Sequence, residues 1–165
     1  MRVLVVGVGN VFLGDDGFGV EIARCLAAEE LPPGVEAKDY GVRALHLAYA
    51  LLEPRDLVIV VDAVRRGDPP GTLTLLEPAL EGGAAAAAPD AHGMDLGSVF
   101  SAVRALGGTL PRVLIVGCEV AGIGEGIGFS PAVEAAVGPA VELVREVVER
   151  ELARGEERRC GATSG

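Results

Sequence analysis

The sequence has few of the features that mark membrane-embedded, secreted or aromatic-rich proteins. It contains no tryptophan, and aromatic residues make up only 4% of its 165 positions, so we expect an aliphatic core. No apolar run reaches the ~18 residues of a membrane span. The first residues show no basic-then-apolar signal segment. We therefore expect a cytoplasmic protein without a membrane partner.

Positive charge is also scarce. Lys and Arg number 14 against 24 Asp and Glu, which gives a formal net charge of -10, and Lys38 is the only lysine. This balance disfavours nucleic acid and anionic membranes as partners, but it does not oppose a cation or a basic peptide.

The three cysteines suggest no disulfide framework. Cys25, Cys118 and Cys160 are far apart, odd in number and without a C-x-x-C pair. Such a pattern is typical of reduced thiols in the cytosol.

Strand-like apolar runs alternate with segments of helical spacing, which predicts an α/β fold with a helix-covered, mostly parallel sheet. The predicted strands cover residues 2–6, 35–39, 57–61, 72–76 and 112–117. The first three favour the order 2-1-3 of a doubly wound sheet, and the fourth is expected at an edge because its pattern partly alternates.

The length predicts a single domain, residues 1–154. The alanine-rich residues 82–93 are expected to form a mobile loop, and the polar residues 155–165 a disordered tail. Gly138 and Pro139 are expected to kink or split the last helix.

The chain is organised around residues 1–26, where a buried strand leads into a glycine-rich turn and then a helix. Gly7 and Gly9 make the turn, and Asp16 precedes the helix. Asp62 ends the third predicted strand. In a sheet of order 2-1-3, the carboxyl ends of strands one and three flank the switch point where ligands bind. We expect both carboxylates to face one crevice.

These acids also have purely structural interpretations. Asp15 or Asp16 could cap the first helix, because aspartate is among the best N-cap residues. Asp62 could accept hydrogen bonds from loop amides.

Three chemistries fit the crevice to different degrees. A dinucleotide site is suggested by Gly7-x-Gly9 and by Asp39, but the third glycine of the fingerprint is displaced and Asp16 would repel a pyrophosphate. A phospho-accepting receiver would need a lysine after the fifth strand, where Cys118 stands instead. The third chemistry is a divalent metal site formed by two carboxylates and the imidazole of His92. This donor set suits nickel or zinc.

The opening GVGNVFLGDDGFGV resembles the N-terminal motif of the hydrogenase maturation endopeptidases, which process the large subunit of nickel-iron hydrogenases. The resemblance extends from residue 1 to about residue 148. It includes the Asp39-x-Gly41 segment, the strand ending in Asp62, the His92-Gly93 pair and the segment GIGFSP at residues 126–131.

This resemblance implies a three-layer α/β/α sandwich with a five-stranded, mostly parallel twisted sheet. It implies cleavage of a C-terminal extension from the large-subunit precursor after nickel insertion. The family's metal-binding and catalytic positions fall on Asp16, Asp62 and His92. Asp39 and Gly41 match its substrate-recognition motif. Nickel is expected to arrive with the substrate, other divalent cations are expected to be able to occupy the site in vitro, and the protein is expected to be a monomer.

Three features depart from the family pattern. Val42 stands where Thr is frequent, Glu119-Val120 replaces an acid–proline pair, and the alanine run at residues 84–88 is peculiar to this chain. They bear on substrate contacts rather than on the metal triad. A non-catalytic metal- or nucleotide-binding module, acting as a maturation chaperone, is the alternative function.

Overall fold

The computed structural model describes residues 1–78 and 96–162. The predicted loop at residues 82–93, with the alanine run and His92, lies outside them. The described elements follow in chain order: β1 Val3–Val8, a short 3-10 helix Asp15–Gly17, α1 Phe18–Ala27, β2 Val35–Gly41, α2 Ala44–Ala50, β3 Leu57–Val64, β4 Leu73–Leu76, α3 Leu96–Ala105, β5 Arg112–Glu119 and α4 Pro131–Ala162.

The five strands form one sheet of order β2-β1-β3-β5-β4. β1 pairs in parallel with β2 and β3, and β3 pairs in parallel with β5. Only β4 is antiparallel, at the edge beside β5. The predicted 2-1-3 order and the edge position of the fourth strand are confirmed.

Helices cover both faces of the sheet, which confirms the three-layer α/β/α architecture. Every residue of β1 is buried, because its alternate side chains enter different cores. Val3 and Val5 pack with α1 and α4 on one face, whereas Leu4 and Val6 pack with α2 and α3 on the other. The apolar runs of the central strands are therefore buried on both sides, as parallel strands usually are.

The end of the chain differs from the prediction. Residues 155–162 continue α4 as helix instead of forming a disordered tail. The segment is rich in Glu and Arg, which favour helix. It is also anchored just before residue 155, because Glu151 is buried and accepts hydrogen bonds from Arg112 and Arg154.

Pro139 lies inside α4 without splitting it. Proline removes one backbone donor and leaves the carbonyl four residues earlier without its partner. Both Pro139 and Ala135 lie on the exposed side of the helix, where water can satisfy that carbonyl, so the helix continues.

Among the described residues, no helix is both long and apolar enough to span a bilayer.

Candidate active site

The candidate site lies at the carboxyl edge of the two central strands. Gly7 of β1 pairs with Val61 of β3, so the chain leaves both strands at the same edge. Gly19 brings α1 against this edge, since a Cβ added to it would lie 2.0 Å from the carbonyl oxygen of Val61 and 2.5 Å from that of Val8. Only glycine permits so close an approach. The segment just before α1 is thereby held beside Asp62, the residue that follows Val61.

Asp16 occupies this position before α1. It is 1% exposed, and its Oδ2 accepts a 2.7 Å hydrogen bond from the backbone amide of Asn10. Gly9 has a φ of 123°, and a Cβ there would lie 1.8 Å from the carbonyl oxygen of Asp16. The glycine-rich turn after β1 therefore folds tightly around Asp16 and fixes its carboxylate.

Asp62 lies within β3, which continues to Val64 instead of ending at the aspartate as predicted. Burial, together with the negative charge of Asp16, raises the pKa of Asp62 to about 8, and a hydrogen bond with the Ala63 backbone opposes the rise. The two carboxylates are thus close enough to repel each other in a buried place. A cation bound there would remove this repulsion.

The structure brings Asp16 and Asp62 together, although 46 positions separate them (62 − 16). Within residues 1–78 and 96–162, no group of three or more His, Cys, Asp and Glu side chains could hold a metal ion. His92 lies outside the described residues, so its place as the third ligand stays a prediction. Two carboxylates and an imidazole would fit a borderline divalent metal such as nickel.

Asp15 has a different part from its neighbour. It is buried, and its carboxylate accepts hydrogen bonds from the backbone amide of Ala121 and from both the amide and the hydroxyl of Ser130. The side chains of Asp15 and Asp16 cap neither α1 nor the short 3-10 helix before it. Asp15 instead ties the start of the site to the loop between β5 and α4.

Asp39 lies on β2, the strand beside β1. Its Oδ2 accepts hydrogen bonds of 3.2 and 3.0 Å from the Nε and Nη2 of Arg24. Arg43 donates to the backbone carbonyls of Asp39 and Tyr40. Two arginines therefore orient the end of β2.

Gly41 connects this strand end to the glycine-rich turn. Its φ is 52°, and its carbonyl oxygen accepts a 3.1 Å hydrogen bond from the amide of Gly9. Asp39 and Gly41 thus lie next to the turn that encloses Asp16, as expected for a substrate-contacting segment, and their role in recognition stays a prediction.

Glu119, which in the sequence stands out only as a departure from the family pattern, is buried. Its carboxylate accepts hydrogen bonds from the backbone amides of Arg66 and Gly67, and thereby supports the loop between β3 and β4. In the sequence, Glu119 is a charged residue at the end of a buried strand, and Asp15 is one beside a glycine-rich turn. Neither pattern predicts which groups these carboxylates bind.

The geometry disfavours the other two chemistries. A dinucleotide would bring its pyrophosphate to the turn after β1, where Asp16 is buried beside Asp62. Asp39, the candidate ribose ligand, already pairs with Arg24. The single lysine, Lys38, pairs with Glu36 at 2.7 Å and lies on β2 rather than after β5.

Comparison with known proteins finds relatives that match the chain over most of its length. The hydrogenase maturation protease family matches residues 20–147. The hydrogenase 2 maturation protease of Escherichia coli (strain K12) is 35% identical over 150 residues, which cover 87% of this chain and 88% of that protein. A hydrogenase expression/formation protein, HupD, of Rhodobacter capsulatus is 34% identical, over 88% of this chain and 71% of that protein.

Solved structures give the same result. The hydrogenase maturating endopeptidase HybD from E. coli superposes with a TM-score of 0.76 at 33% identity, covering 92% of this chain and 94% of that one. A hydrogenase 2 maturation peptidase from Thaumarchaeota archaeon SCGC_AB-539-E09 superposes with a TM-score of 0.70 at 32% identity, covering 90% and 99%. With this fold, this carboxyl-edge site and these matches over most of its length, the chain belongs to the hydrogenase maturation protease family.

Proposed function

We propose that this chain removes the C-terminal extension from the large-subunit precursor of a nickel-iron hydrogenase after nickel has been inserted. In this proposal, Asp16, Asp62 and His92 recognise the nickel that the precursor carries. The observation that supports it most is the buried pair of Asp16 and Asp62 at the carboxyl edge of the central strands.

The pair suits a metal that belongs to the substrate. Without a cation, a second negative charge beside Asp16 in this buried place is unfavourable, so burial and Asp16 raise the pKa of Asp62 to about 8. A nickel ion entering with the precursor would stabilise both carboxylates in their charged form, so a loaded precursor would bind better than an unloaded one. Selectivity for the loaded precursor would then need no sequence-specific pocket.

The hydrolytic step has two routes in this proposal. The nickel of the substrate can polarise the scissile carbonyl or lower the pKa of a bound water. Alternatively, a carboxylate can accept a proton from the attacking water, for which a pKa near neutrality is the most effective.

Direct attack by water is supported by the state of the nearest thiol. Cys118 is fully buried in the strand beside β3. Burial, with smaller contributions from Asp15 and Glu119, raises its pKa to about 12. Such a thiol is protonated at neutral pH and is a poor nucleophile.

We also propose that the protein acts as a monomer in the cytoplasm. Within the described part of the chain no disulfide joins Cys25, Cys118 or Cys160, as is usual for a reducing compartment.

Mass spectrometry of the precursor tests the proposal. The wild-type chain is incubated with nickel-loaded and with nickel-free precursor, beside the Asp62→Asn and His92→Ala variants. We expect a loss of mass, equal to that of the C-terminal extension, only for loaded precursor with the wild-type chain. Cleavage of loaded precursor by Asp62→Asn at the wild-type rate would contradict the metal triad. Tight binding of loaded precursor without any cleavage would identify the alternative, a chaperone-like module.

A further inference from the structure

A solvent-open cleft lies beside the buried acid pair, between the turn after β1 and the turn after β2. Its volume is about 350 Å³. The residues that matter in its lining are Gly9, Asn10, Phe12, Asp39, Val42 and Arg43. Gly9 and Asn10 also contact Asp16, so the cleft leads from solvent towards the acids.

Phe12 presents an exposed aromatic ring on an ordered backbone. Its residue is 65% exposed, yet its amide donates to Oδ1 of Asn10 and its carbonyl accepts from the amide of Gly126, both at 3.0 Å. An exposed aromatic side chain on a fixed backbone is typical of a binding surface, because it becomes buried only when a partner binds.

Val42 lies on the other side of the cleft in a similar state. It is 53% exposed and follows Gly41, whose positive φ sets the turn. The next two residues fix its backbone: the amide of Arg43 donates to the carbonyl of Tyr40, and the amide of Ala44 donates to the carbonyl of Val42. The apolar side chain is therefore directed by a rigid turn.

The apolar character continues past Phe12. A neighbouring cleft of about 170 Å³ shares Val11 and Arg24 with the first and is also lined by Ile127, which is 85% exposed. The loop that carries Ile127 is joined to the turn after β1 by a bridge between Leu13 and Gly126. Three separate loops thus each present one exposed apolar side chain at the edge that holds the acids.

The charged residues of the two clefts balance, because Arg24 and Arg43 are offset by Asp39 and Glu21. Asp39 contacts both arginines, at 3.0 and 3.8 Å. An occupant that satisfies this surface therefore has apolar side chains and no net charge. A chain segment fits it better than a globular face does, because the larger cleft lies over the turn that encloses Asp16.

We propose that Phe12, Val42 and Ile127 bind an apolar segment of the substrate polypeptide next to the bond that is cut. This proposal rests on the proposed function. It adds the residues that determine affinity for the polypeptide part of the substrate, as distinct from the metal that the substrate carries. These side chains contribute to binding of the substrate and not to the chemical step.

Kinetics on nickel-loaded large-subunit precursor test the proposal, with direct binding measured in parallel. The variants are Phe12→Ala, Ile127→Ser and Val42→Thr, the last of which keeps the shape of the side chain and replaces one methyl group with a hydroxyl. Leu106→Ser is the matched control, because Leu106 is 49% exposed but follows α3, away from the cleft. Melting temperatures check that each exposed substitution leaves the fold intact.

We expect Phe12→Ala to raise KM and the dissociation constant roughly tenfold while kcat stays within about twofold, since aromatic side chains dominate such interfaces. Val42→Thr and Ile127→Ser are expected to raise KM less, and Leu106→Ser not at all. Equal KM and affinity for the cleft variants and the wild-type chain would overturn the proposal, as would an equal effect of Leu106→Ser.

Binding separates this proposal from the proposed function. If the wild-type chain binds the precursor without cutting it, the proposed function fails, and the affinities of the same variants still decide on the cleft. If the wild-type chain neither binds nor cuts the precursor, both proposals are overturned.

Discussion

Asp15 and Ser130 are joined by two hydrogen bonds across 115 positions of the chain: the Ser130 amide donates to Oδ1 at 2.6 Å, and the Ser130 hydroxyl donates to Oδ2 at 2.9 Å. The amide of Ala121 adds a third at 3.1 Å. One buried carboxylate thus binds the segment before α1 to both ends of the loop between β5 and α4. This loop carries Ile127 and faces the candidate active site.

Removal of the Asp15 carboxylate is expected to destabilise the protein. Asp15→Ala removes three hydrogen bonds to a buried carboxylate, which we expect to lower the free energy of unfolding by about 3 kcal/mol. Ser130→Ala removes only the hydroxyl and is expected to cost about 1 kcal/mol. Urea unfolding followed by circular dichroism measures both. A loss for Asp15→Ala no larger than that for Ser130→Ala would contradict the account.

The sheet could be predicted from the sequence because its evidence is local. Runs such as residues 57–61 are short, apolar and rich in β-branched residues, which is typical of strands that are buried on both faces. The convergence of Asp16 and Asp62 could be predicted as well, since parallel strands of known order bring their carboxyl ends together.

The different tasks of Asp15 and Asp16 could not be predicted. The two are identical in type and adjacent in sequence, and only the position of a loop more than a hundred residues away separates them. The helical end of α4 was missed for a similar reason. Its polar composition resembles a tail, and the partner of Glu151, Arg112, lies on a distant strand.

The stability of the metal-free protein is expected to depend on the protonation of Asp62. Its pKa rises from 3.8 to about 8 on folding, mainly through burial and then through Asp16. Because folding raises this pKa, the contribution of Asp62 to the free energy of unfolding is fully present below about pH 4. It is lost as the pH rises to about 8.

Asp62→Asn removes this pH dependence, because the amide carries no charge. We expect the variant to exceed the wild-type chain in free energy of unfolding by a few kcal/mol at pH 8, and the difference to vanish near pH 4. Urea titrations with a chelator present measure it. Asp68→Asn, at an exposed aspartate of the loop after β3, is the control and should behave as wild type. A constant difference between the two pH values would argue against the raised pKa.

Gly19 is expected to tolerate no side chain. A Cβ at this position would lie within 2.5 Å of two strand carbonyl oxygens, those of Val61 and Val8. Gly19→Ala must push α1 away from the sheet, at a cost of about 3 kcal/mol, and must displace Asp16. We expect a lower melting temperature together with loss of precursor cleavage.

Gly138→Ala is the matched control for Gly19→Ala. Gly138 lies within α4, and beyond its two chain neighbours nothing lies within 4 Å of an added Cβ. Alanine there should change the free energy of unfolding by no more than about 1 kcal/mol, because its helix preference is opposed by the ring of the following Pro139. If Gly19→Ala melted at or above the temperature of Gly138→Ala, the close packing of α1 on the strands would be refuted.

Metal binding is expected to release protons. Because the pKa of Asp62 is about 8, this carboxyl is largely protonated at pH 7, and a divalent cation must displace its proton. Calorimetric titration of the protein with Ni²⁺, in two buffers of different ionisation enthalpy, measures the number released. We expect close to one proton for the wild-type chain and none for Asp62→Asn. The same number from both proteins would place the cation elsewhere.

The central claim is that Asp16, Asp62 and His92 bind one nickel ion. Anomalous diffraction at the nickel edge, from crystals soaked with Ni²⁺, tests it most directly. We predict a single strong peak about 2.0–2.2 Å from a carboxylate oxygen of Asp16, a carboxylate oxygen of Asp62 and a ring nitrogen of His92. A peak bound to the two acids with His92 on the far side of the sheet, or a peak away from both acids, would contradict the claim.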